Sequence, residues 1–250
     1  MTAWVALCGG LDPAGQAGLA ADLHACFALG ARGMPIACGR TAQSDGQFTA
    51  AWATHTAELA IVLAAITSPS VCAIKTGMLG SVPNLRAVAA WARSQGVPLV
   101  VDPLGRTTSG GWLYPKDQVD TVRKAMLRDL LPAATVVTPN WHELAWLSGR
   151  EPARTERELA TQAALLPCPA WIKGGHAPHP ALARDWLWTG SALGARPIRP
   201  PWPGTPRGTG CRLATAIAIG LGQGKDLEAA GCEAEQWLDA WARRLPMPTA

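Results

Sequence analysis

Short apolar runs alternate along this chain with longer stretches whose apolar residues recur at helical spacing. The short runs predict buried strands at Val5–Cys8, Met34–Ala42, Val71–Ile74, Pro98–Val101, Thr135–Thr138, Ala170–Ile172 and Asp185–Thr189. The longer stretches predict helices at Ala17–Leu29, Ala57–Ile66, Asn84–Gln95, Lys116–Leu131, Asn140–Leu147, Thr155–Leu166, after Cys211, and at Leu227–Arg244. This alternation predicts a three-layer α/β/α fold with a mostly parallel central sheet.

Polar segments follow most of the predicted strands. In parallel sheets such loops meet at the carboxyl edge, where ligands bind. The loops expected there are Gly9–Gly15, Gln43–Gln47, Lys75–Met78, Asp102–Gly111, Asn140–Glu143 and Lys173–His176. The segment Gln43–Gln47 is too hydrophilic for core, and the proline-rich segment Ala192–Pro203 is expected to be a connection. Because the loops that follow the strands share one edge of the sheet, the sequence predicts one ligand site there.

Composition narrows the class of protein. The chain has 250 residues with no internal repeat or long linker, so we expect one domain over residues 1–250. A net charge of +4 with scattered basic residues gives no support for binding nucleic acid. The seven cysteines lack C-x-x-C spacing, which favours reduced thiols. With neither a signal peptide nor a membrane-length apolar stretch in this sequence, we expect a soluble, cytoplasmic protein without a membrane partner.

The segment Gly208–Cys211 carries the clearest candidate chemistry. A Gly-Thr-Gly turn that opens directly into an apolar helix leaves backbone N–H groups unpaired at the helix start. Together with the helix dipole, these groups form a seat for a phosphate. Cys211 falls in the first turn, where the pKa of its thiol is expected to be lowered. The alternative is a glycine turn that merely starts a core helix around a buried cysteine, and this segment alone leaves both open.

Seven short motifs occur in order along almost the whole chain. They are Asp12–Asp22, Thr41–Gln43, Lys75–Leu79, Val101–Pro103, Thr138–Glu143, Lys173–His176 and Gly208–Cys211. With these motifs the chain resembles the hydroxymethylpyrimidine/phosphomethylpyrimidine kinases of thiamin biosynthesis, which belong to the ribokinase-like superfamily. The resemblance implies two ATP-dependent phosphorylations, first of the hydroxymethyl group of 4-amino-5-hydroxymethyl-2-methylpyrimidine and then of the resulting monophosphate. It also implies Mg²⁺ as a cofactor and a homodimer.

The resemblance assigns phosphoryl-transfer roles to residues at the predicted edge. Gly208, Thr209 and Gly210 would hold the transferring phosphate, and Cys211 would accept or orient the proton of the substrate hydroxyl. Lys173, Thr209 and Arg207 are expected to contact the phosphates of ATP, Lys173 through its ammonium. An ordinary surface lysine is the alternative for Lys173.

Asp102 and Glu143 are the metal candidates. For Glu143 the resemblance implies a contact to magnesium through water, and for Asp102 the functional interpretation is an indirect contact to magnesium or to phosphate. The alternatives are structural: Asp102 precedes Pro103 in a turn, and Asn140 with Glu143 forms a helix capping box. For Glu143 the two interpretations are compatible.

The substrate candidates are Gly10, Asp22, Gln43, Met78 and Leu104. The amide of Gln43 suits the edge of an aminopyrimidine, because it both donates and accepts hydrogen bonds. An ordinary loop glutamine, a solvated helix face for Asp22 and core filling for Met78 are the alternatives.

The chain departs from the family pattern around the substrate. Leu11 and Ala14 replace serines, Ser44-Asp45 and Leu104-Gly105 replace the usual pairs, and Arg207 and Arg212 bracket the phosphate seat. The two arginines are expected to hold additional phosphate, from a nucleotide or from a phosphorylated substrate. These substitutions change the residues expected to line the substrate pocket, which we call the substrate wall. They leave two alternatives: a kinase for a pyridoxal-type vitamin, or a catalytically idle relative that binds the pyrimidine.

Overall fold

The computed structural model describes residues 4–44, 47–66, 71–106, 111–202, 204 and 206–245. Within them, nine strands form one sheet in the order β3-β2-β1-β4-β5-β6-β7-β8-β9. The strands are β1 Trp4–Leu11, β2 Arg32–Ser44, β3 Gln47–Ala53, β4 Val71–Thr76, β5 Leu99–Val101, β6 Val136–Val137, β7 Ala170–Ile172, β8 Trp186–Trp188 and β9 Leu193–Ala195. The pairs from β2 through β7 are parallel. The outer pairs β2–β3, β7–β8 and β8–β9 are antiparallel.

Helices cover both faces of this sheet. They are α1 Gly18–Ala28, α2 Thr56–Ala65, α3 Val82–Gln95, α4 Val119–Ala125, α5 Trp141–Ser148, α6 Glu156–Ala163, α7 Thr209–Gly222 and α8 Leu227–Arg243. Successive residues of a strand face opposite sides. On β1, Val5 and Leu7 therefore pack with α1, α7 and α8, whereas Ala6 and Cys8 pack with the core beneath α2 to α6. The predicted three-layer, mostly parallel fold is confirmed.

The predicted polar loop Gln43–Gln47 is wrong. β2 continues to Ser44 and β3 begins at Gln47, so the segment belongs to an antiparallel hairpin whose residues 45–46 lie outside the described part. β3 is an outer strand, and its residues are mostly exposed or half-buried. Polar side chains are tolerated there because neither face of such a strand has to be fully apolar.

Other predicted segments also differ. The loops expected at Gly9–Gly15 and Lys75–Met78 begin inside strands, because β1 continues to Leu11 and β4 to Thr76. Ala192–Pro203 is not wholly a connection, since it contains the short outer strand β9. Lys116–Leu131 is not one regular α-helix: α4 is preceded by a 3₁₀ turn and followed by the wider π-type stretch Met126–Leu130. Pro132 cannot donate a helical hydrogen bond, which accounts for the irregular end.

Two further observations complete the fold. Much of the predicted loop Gly105–Gly111 lies outside the described residues, which stop at residue 106 and resume at 111. Among the helices that the structure describes, none has the length and apolarity to cross a membrane.

Candidate active site

The start of α7 lies at the carboxyl edge and is built on Gly208. This residue precedes the helix with a φ of 70°, and a Cβ there would collide with the carbonyl oxygen of Gln16. Only glycine combines this backbone conformation with so close a contact. The first helical hydrogen bond runs from the Arg212 N–H to the Gly208 carbonyl. The N–H groups of Thr209, Gly210 and Cys211 therefore have no acceptor within the helix.

Lys173 joins two carboxylates beneath this helix start. Its Nζ lies 2.8 Å from Asp102 Oδ1 and 3.5 Å from Glu143 Oε2. A Cβ on Gly210 would lie only 3.1 Å from the same Nζ, so the glycine lets the helix approach the ammonium. The Lys173 side chain is 14% exposed, and the alternative of an ordinary surface lysine is therefore wrong. Burial alone would lower the pKa of Lys173, but Asp102 and Glu143 raise it above its usual value.

Glu143 has both a structural contact and an unusual charge state. Its Oε2 accepts a hydrogen bond from the Asn140 N–H at 2.7 Å, and Asn140 Oδ1 accepts one from the Glu143 N–H at 2.9 Å. The predicted capping box is thus present. Burial, with the nearby charge of Asp102, raises the pKa of Glu143 to about 7, although Lys173 opposes this effect.

Asp102 is fully buried, and one of its two carboxylate oxygens has no hydrogen-bond partner among the described residues. Oδ1 accepts from Lys173 and lies 3.4 Å from the Thr138 hydroxyl, whereas Oδ2 has no hydrogen-bond partner among the described residues. A buried carboxylate oxygen without a partner is unfavourable unless a ligand or ion completes it. The side chain therefore has more than the turn-forming role that was the alternative. No cluster of three or more metal-ligating side chains occurs in the described part of the chain.

Cys211 is buried, and its environment overturns the expected acidity. Burial raises the pKa of the thiol to about 12, and the charges of Asp22 and Asp102 add to this effect. The Lys75 ammonium and a hydrogen bond from the Gly18 N–H act in the opposite direction but do not offset it. The prediction of a lowered pKa is therefore wrong for the protein without ligands, because desolvation outweighs the position at the helix start.

Lys75 was not among the predicted site residues. This lysine at the end of β4 is fully buried, and its Nζ lies 2.8 and 2.9 Å from the two carboxylate oxygens of Asp22. Thr215 donates to Asp22 Oδ1 at 2.9 Å. Thr215 lies one helical turn after Cys211, so the ion pair packs on the Cys211 side of α7. A lysine that directly continues an apolar strand was the signal available in the sequence.

The structure places the predicted substrate residues in surroundings that differ from one residue to the next. Asp22 is not on a solvated helix face, since it is fully buried with Lys75. Met78 is 4% exposed and packs in the core, with its Sδ 2.7 Å from where a Cβ on Gly10 would be. Leu104 is a partly buried residue against the same core. Gln43 is in β2 rather than in a loop.

Of the two arginines near the phosphate seat, only Arg207 is directed towards Gln43. Its Nη2 lies 3.5 Å from Gln43 Oε1. Arg212 is buried; its Nη1 donates to the carbonyl oxygens of Gln16 and Arg207, and its guanidinium stacks 4.3 Å from the ring of Trp241. The expectation that both arginines face an anion is therefore wrong for Arg212, which instead joins two loops.

Comparisons with known proteins show what this chain is similar to. The sequence model of a family described as phosphomethylpyrimidine kinase matches residues 12–247. A hydroxymethylpyrimidine/phosphomethylpyrimidine kinase of Streptomyces coelicolor is 36% identical over 240 residues, which cover 92% of this chain and 84% of that protein.

Solved structures extend the likeness to the fold. An ADP complex of Bacillus subtilis pyridoxal kinase superposes with a TM-score of 0.81 at 25% identity, over 98% of this chain and 94% of that one. A phosphomethylpyrimidine kinase of Clostridium difficile 630 gives a TM-score of 0.80 at 22% identity, over 96% and 99% of the two chains.

Proposed function

This chain belongs to the phosphomethylpyrimidine kinase family, and from that premise we propose that it phosphorylates 4-amino-5-hydroxymethyl-2-methylpyrimidine and its monophosphate with ATP. In each step an acceptor oxygen attacks the γ-phosphorus, the bond from that phosphorus to ADP breaks, and ADP leaves. Such transfers depend on positioning and on stabilising charge at the phosphoryl oxygens.

The observation that carries the proposal is the position of Lys173. Its ammonium lies against Gly210, at the start of α7, and is held there by Asp102 and Glu143. A fixed cation therefore adjoins the free N–H groups of Thr209, Gly210 and Cys211, an arrangement suited to a transferring phosphate. A purely structural ion pair would not require the helix to begin on glycines beside it.

The residues present also fit a magnesium ion. Mg²⁺ commonly takes one or two protein carboxylates and keeps water and phosphate oxygens as its other ligands. Asp102, with its unpartnered Oδ2, and Glu143 would hold the ion, the latter through water. When bound, Mg²⁺ neutralises charge on the nucleotide phosphates.

Cys211 completes the site at the acceptor. With a pKa raised to about 12, it is a neutral thiol in the protein without ligands. We assign it the role of orienting the acceptor oxygen; when the acceptor is a hydroxyl group, its proton passes to an oxygen of the transferring phosphoryl group as the new P–O bond forms. Gln43, Gly10, Met78 and Leu104 would border the pyrimidine, directly or by shaping the wall.

An ADP-release panel tests the proposal. Purified protein is supplied with Mg-ATP and, separately, the pyrimidine alcohol, its monophosphate or pyridoxal. We expect ADP release with the two pyrimidines, and loss of most of it in Cys211→Ala. Absence of release with both pyrimidines would exclude the proposed function.

Pyridoxal is the second candidate substrate. The 25% identity and TM-score of 0.81 to the Bacillus subtilis pyridoxal kinase favour its inclusion, as does the altered substrate wall. Faster turnover of pyridoxal than of the pyrimidine alcohol would select this candidate. Calorimetric binding of the pyrimidine without turnover of any acceptor would instead indicate an idle relative.

A further inference from the structure

The backbone of Arg207 is hydrogen-bonded to the side chain of Arg212. Its carbonyl oxygen accepts a hydrogen bond from Arg212 Nη1 at 3.0 Å, and the same nitrogen lies 3.1 Å from the Gln16 carbonyl oxygen. The Arg212 guanidinium stacks on Trp241 of α8. Arg212 therefore joins the Arg207 backbone to Gln16 of the first loop and to α8.

The Arg207 side chain is half-buried and its guanidinium is incompletely paired. Its Nη2 reaches Gln43, 164 residues earlier in the chain. Its Nη1 is buried and has no hydrogen-bond partner among the described residues, and no carboxylate of that part of the chain forms an ion pair with Arg207. Leaving a buried charged donor unpaired is costly. This nitrogen can therefore donate to a ligand that enters beside Gln43.

The surroundings of Arg207 favour an anion next to the substrate as its hydrogen-bond acceptor. Gly208 begins the phosphate seat on one side, and Gln43, which we assign to the pyrimidine, lies on the other. A guanidinium binds phosphate oxygens through two parallel N–H groups. The Arg207 side chain is directed towards Gln43 rather than along α7. A phosphate on the substrate that receives the phosphoryl group therefore suits this guanidinium better than a phosphate of the nucleotide.

We propose that Arg207 binds the phosphate of a phosphorylated acceptor, so that this chain favours the monophosphate over the alcohol. The inference rests on the proposed kinase function and specifies its substrate class. In the favoured step an oxygen of the bound phosphate attacks the γ-phosphorus of ATP, a P–O–P bond forms, and ADP leaves with the electron pair of the broken bond. No other reactant is required.

The test compares acceptors in Arg207→Ala, in Arg207→Lys, and in Arg157→Ala as a control that removes an exposed arginine of α6. For Arg207→Ala we expect kcat/KM with the monophosphate to fall about 30-fold, since a hydrogen bond to a charged group contributes about 2 kcal/mol. The loss of kcat/KM with the alcohol, which carries no phosphate, should be several-fold smaller than the loss with the monophosphate, and the KM for ATP measured with the alcohol should not rise. Arg207→Lys should recover part of the loss, because lysine restores the positive charge but not the two parallel N–H donors of the guanidinium.

Equal losses with both acceptors, a raised KM for ATP, or no loss at all would each overturn the inference. Calorimetric titration of the monophosphate into wild-type and Arg207→Ala protein, without ATP, provides a readout that does not need turnover. We expect the affinity to fall by about 10-fold or more. If the wild type binds the monophosphate through Arg207 but turns over neither pyrimidine, the proposed function fails while the binding inference stands; unchanged affinity in the variant overturns the inference alone.

Discussion

Lys75 donates hydrogen bonds to both carboxylate oxygens of Asp22, and neither side chain reaches solvent. Desolvating two charges is expensive, and apolar residues of similar size often stabilise a core as well or better. Thr215, one turn from Cys211 on α7, holds the same carboxylate. The pair therefore couples β4, α1 and α7 directly behind the thiol that we assign to the acceptor.

Removing one member of this pair should destabilise the protein strongly. We expect Lys75→Met to lower the free energy of unfolding by about 3–5 kcal/mol, because Asp22 then stays buried without a counter-charge. Urea denaturation measures the loss. The double variant Asp22→Leu/Lys75→Met removes both charges and should recover most of it. A single-variant loss below about 1 kcal/mol would contradict a paired, charged state.

Gly210 should be required for activity rather than for folding. A Cβ at this position would lie 3.1 Å from Lys173 Nζ, so Gly210→Ala has to shift the ammonium by a few tenths of an ångström relative to Asp102. We expect kcat to fall about 10- to 100-fold, since small displacements in a reacting site are costly. The melting temperature should hold or rise, because alanine favours the helix.

Gly194→Ala is the matched control for this change. On the outer strand β9, a Cβ at Gly194 meets only the Leu187 carbonyl oxygen, at an ordinary 3.9 Å. Both activity and melting temperature should stay near those of the wild type. Full activity in Gly210→Ala would show that the position of Lys173 tolerates the shift.

Glu143 should make stability depend on pH in an identifiable direction. Its pKa is raised from 4.5 to about 7, chiefly by burial. Between these values the folded state binds more protons than the unfolded state, so the contribution of Glu143 to stability declines as pH rises from about 4.5 to 7. Denaturation at several pH values should detect this decline, and Glu143→Gln should abolish it.

Glu158→Gln is the control for the pH experiment. Glu158 is exposed and, like Glu143, accepts a hydrogen bond from a backbone N–H near a helix start, that of Arg154. Its substitution should leave the pH dependence of the wild type intact. If the wild type and Glu143→Gln show identical pH profiles, Glu143 does not carry the excess proton.

Local sequence patterns predicted the interior of the fold better than its margins. The central strands are short apolar runs that are buried on both faces, and such runs are conspicuous in a sequence. β3 and β9 are outer strands with exposed residues, so their composition resembles that of loops. Their assignment depends on pairing with β2 and β8, which is not a local property of the chain.

The site was predicted in part for a similar reason. Motif order brought Asp102, Glu143, Lys173 and Gly210 to one edge, where the structure has them in contact. The direction of a side chain depends on tertiary packing, and the sequence therefore did not distinguish Arg212, which joins two loops, from Arg207. Likewise, the pKa of Cys211 depends on burial by elements distant in the chain.

The raised pKa of Cys211 should make this cysteine unreactive in the absence of ligands. Thiolates, not thiols, react with iodoacetamide, and at neutral pH a group with a pKa of about 12 is almost wholly protonated. We expect peptide-resolved mass spectrometry at pH 7.5 to find Cys211 modified at least about 100-fold more slowly than free cysteine. Because burial also limits access, the pH dependence is decisive: modification should still be accelerating above about pH 10, where free cysteine, with a pKa of about 8.5, has levelled off. A rate for Cys211 that levels off below pH 8 would instead indicate the low pKa expected of a thiol at a helix start, and with it a general base already ionised before substrate binds.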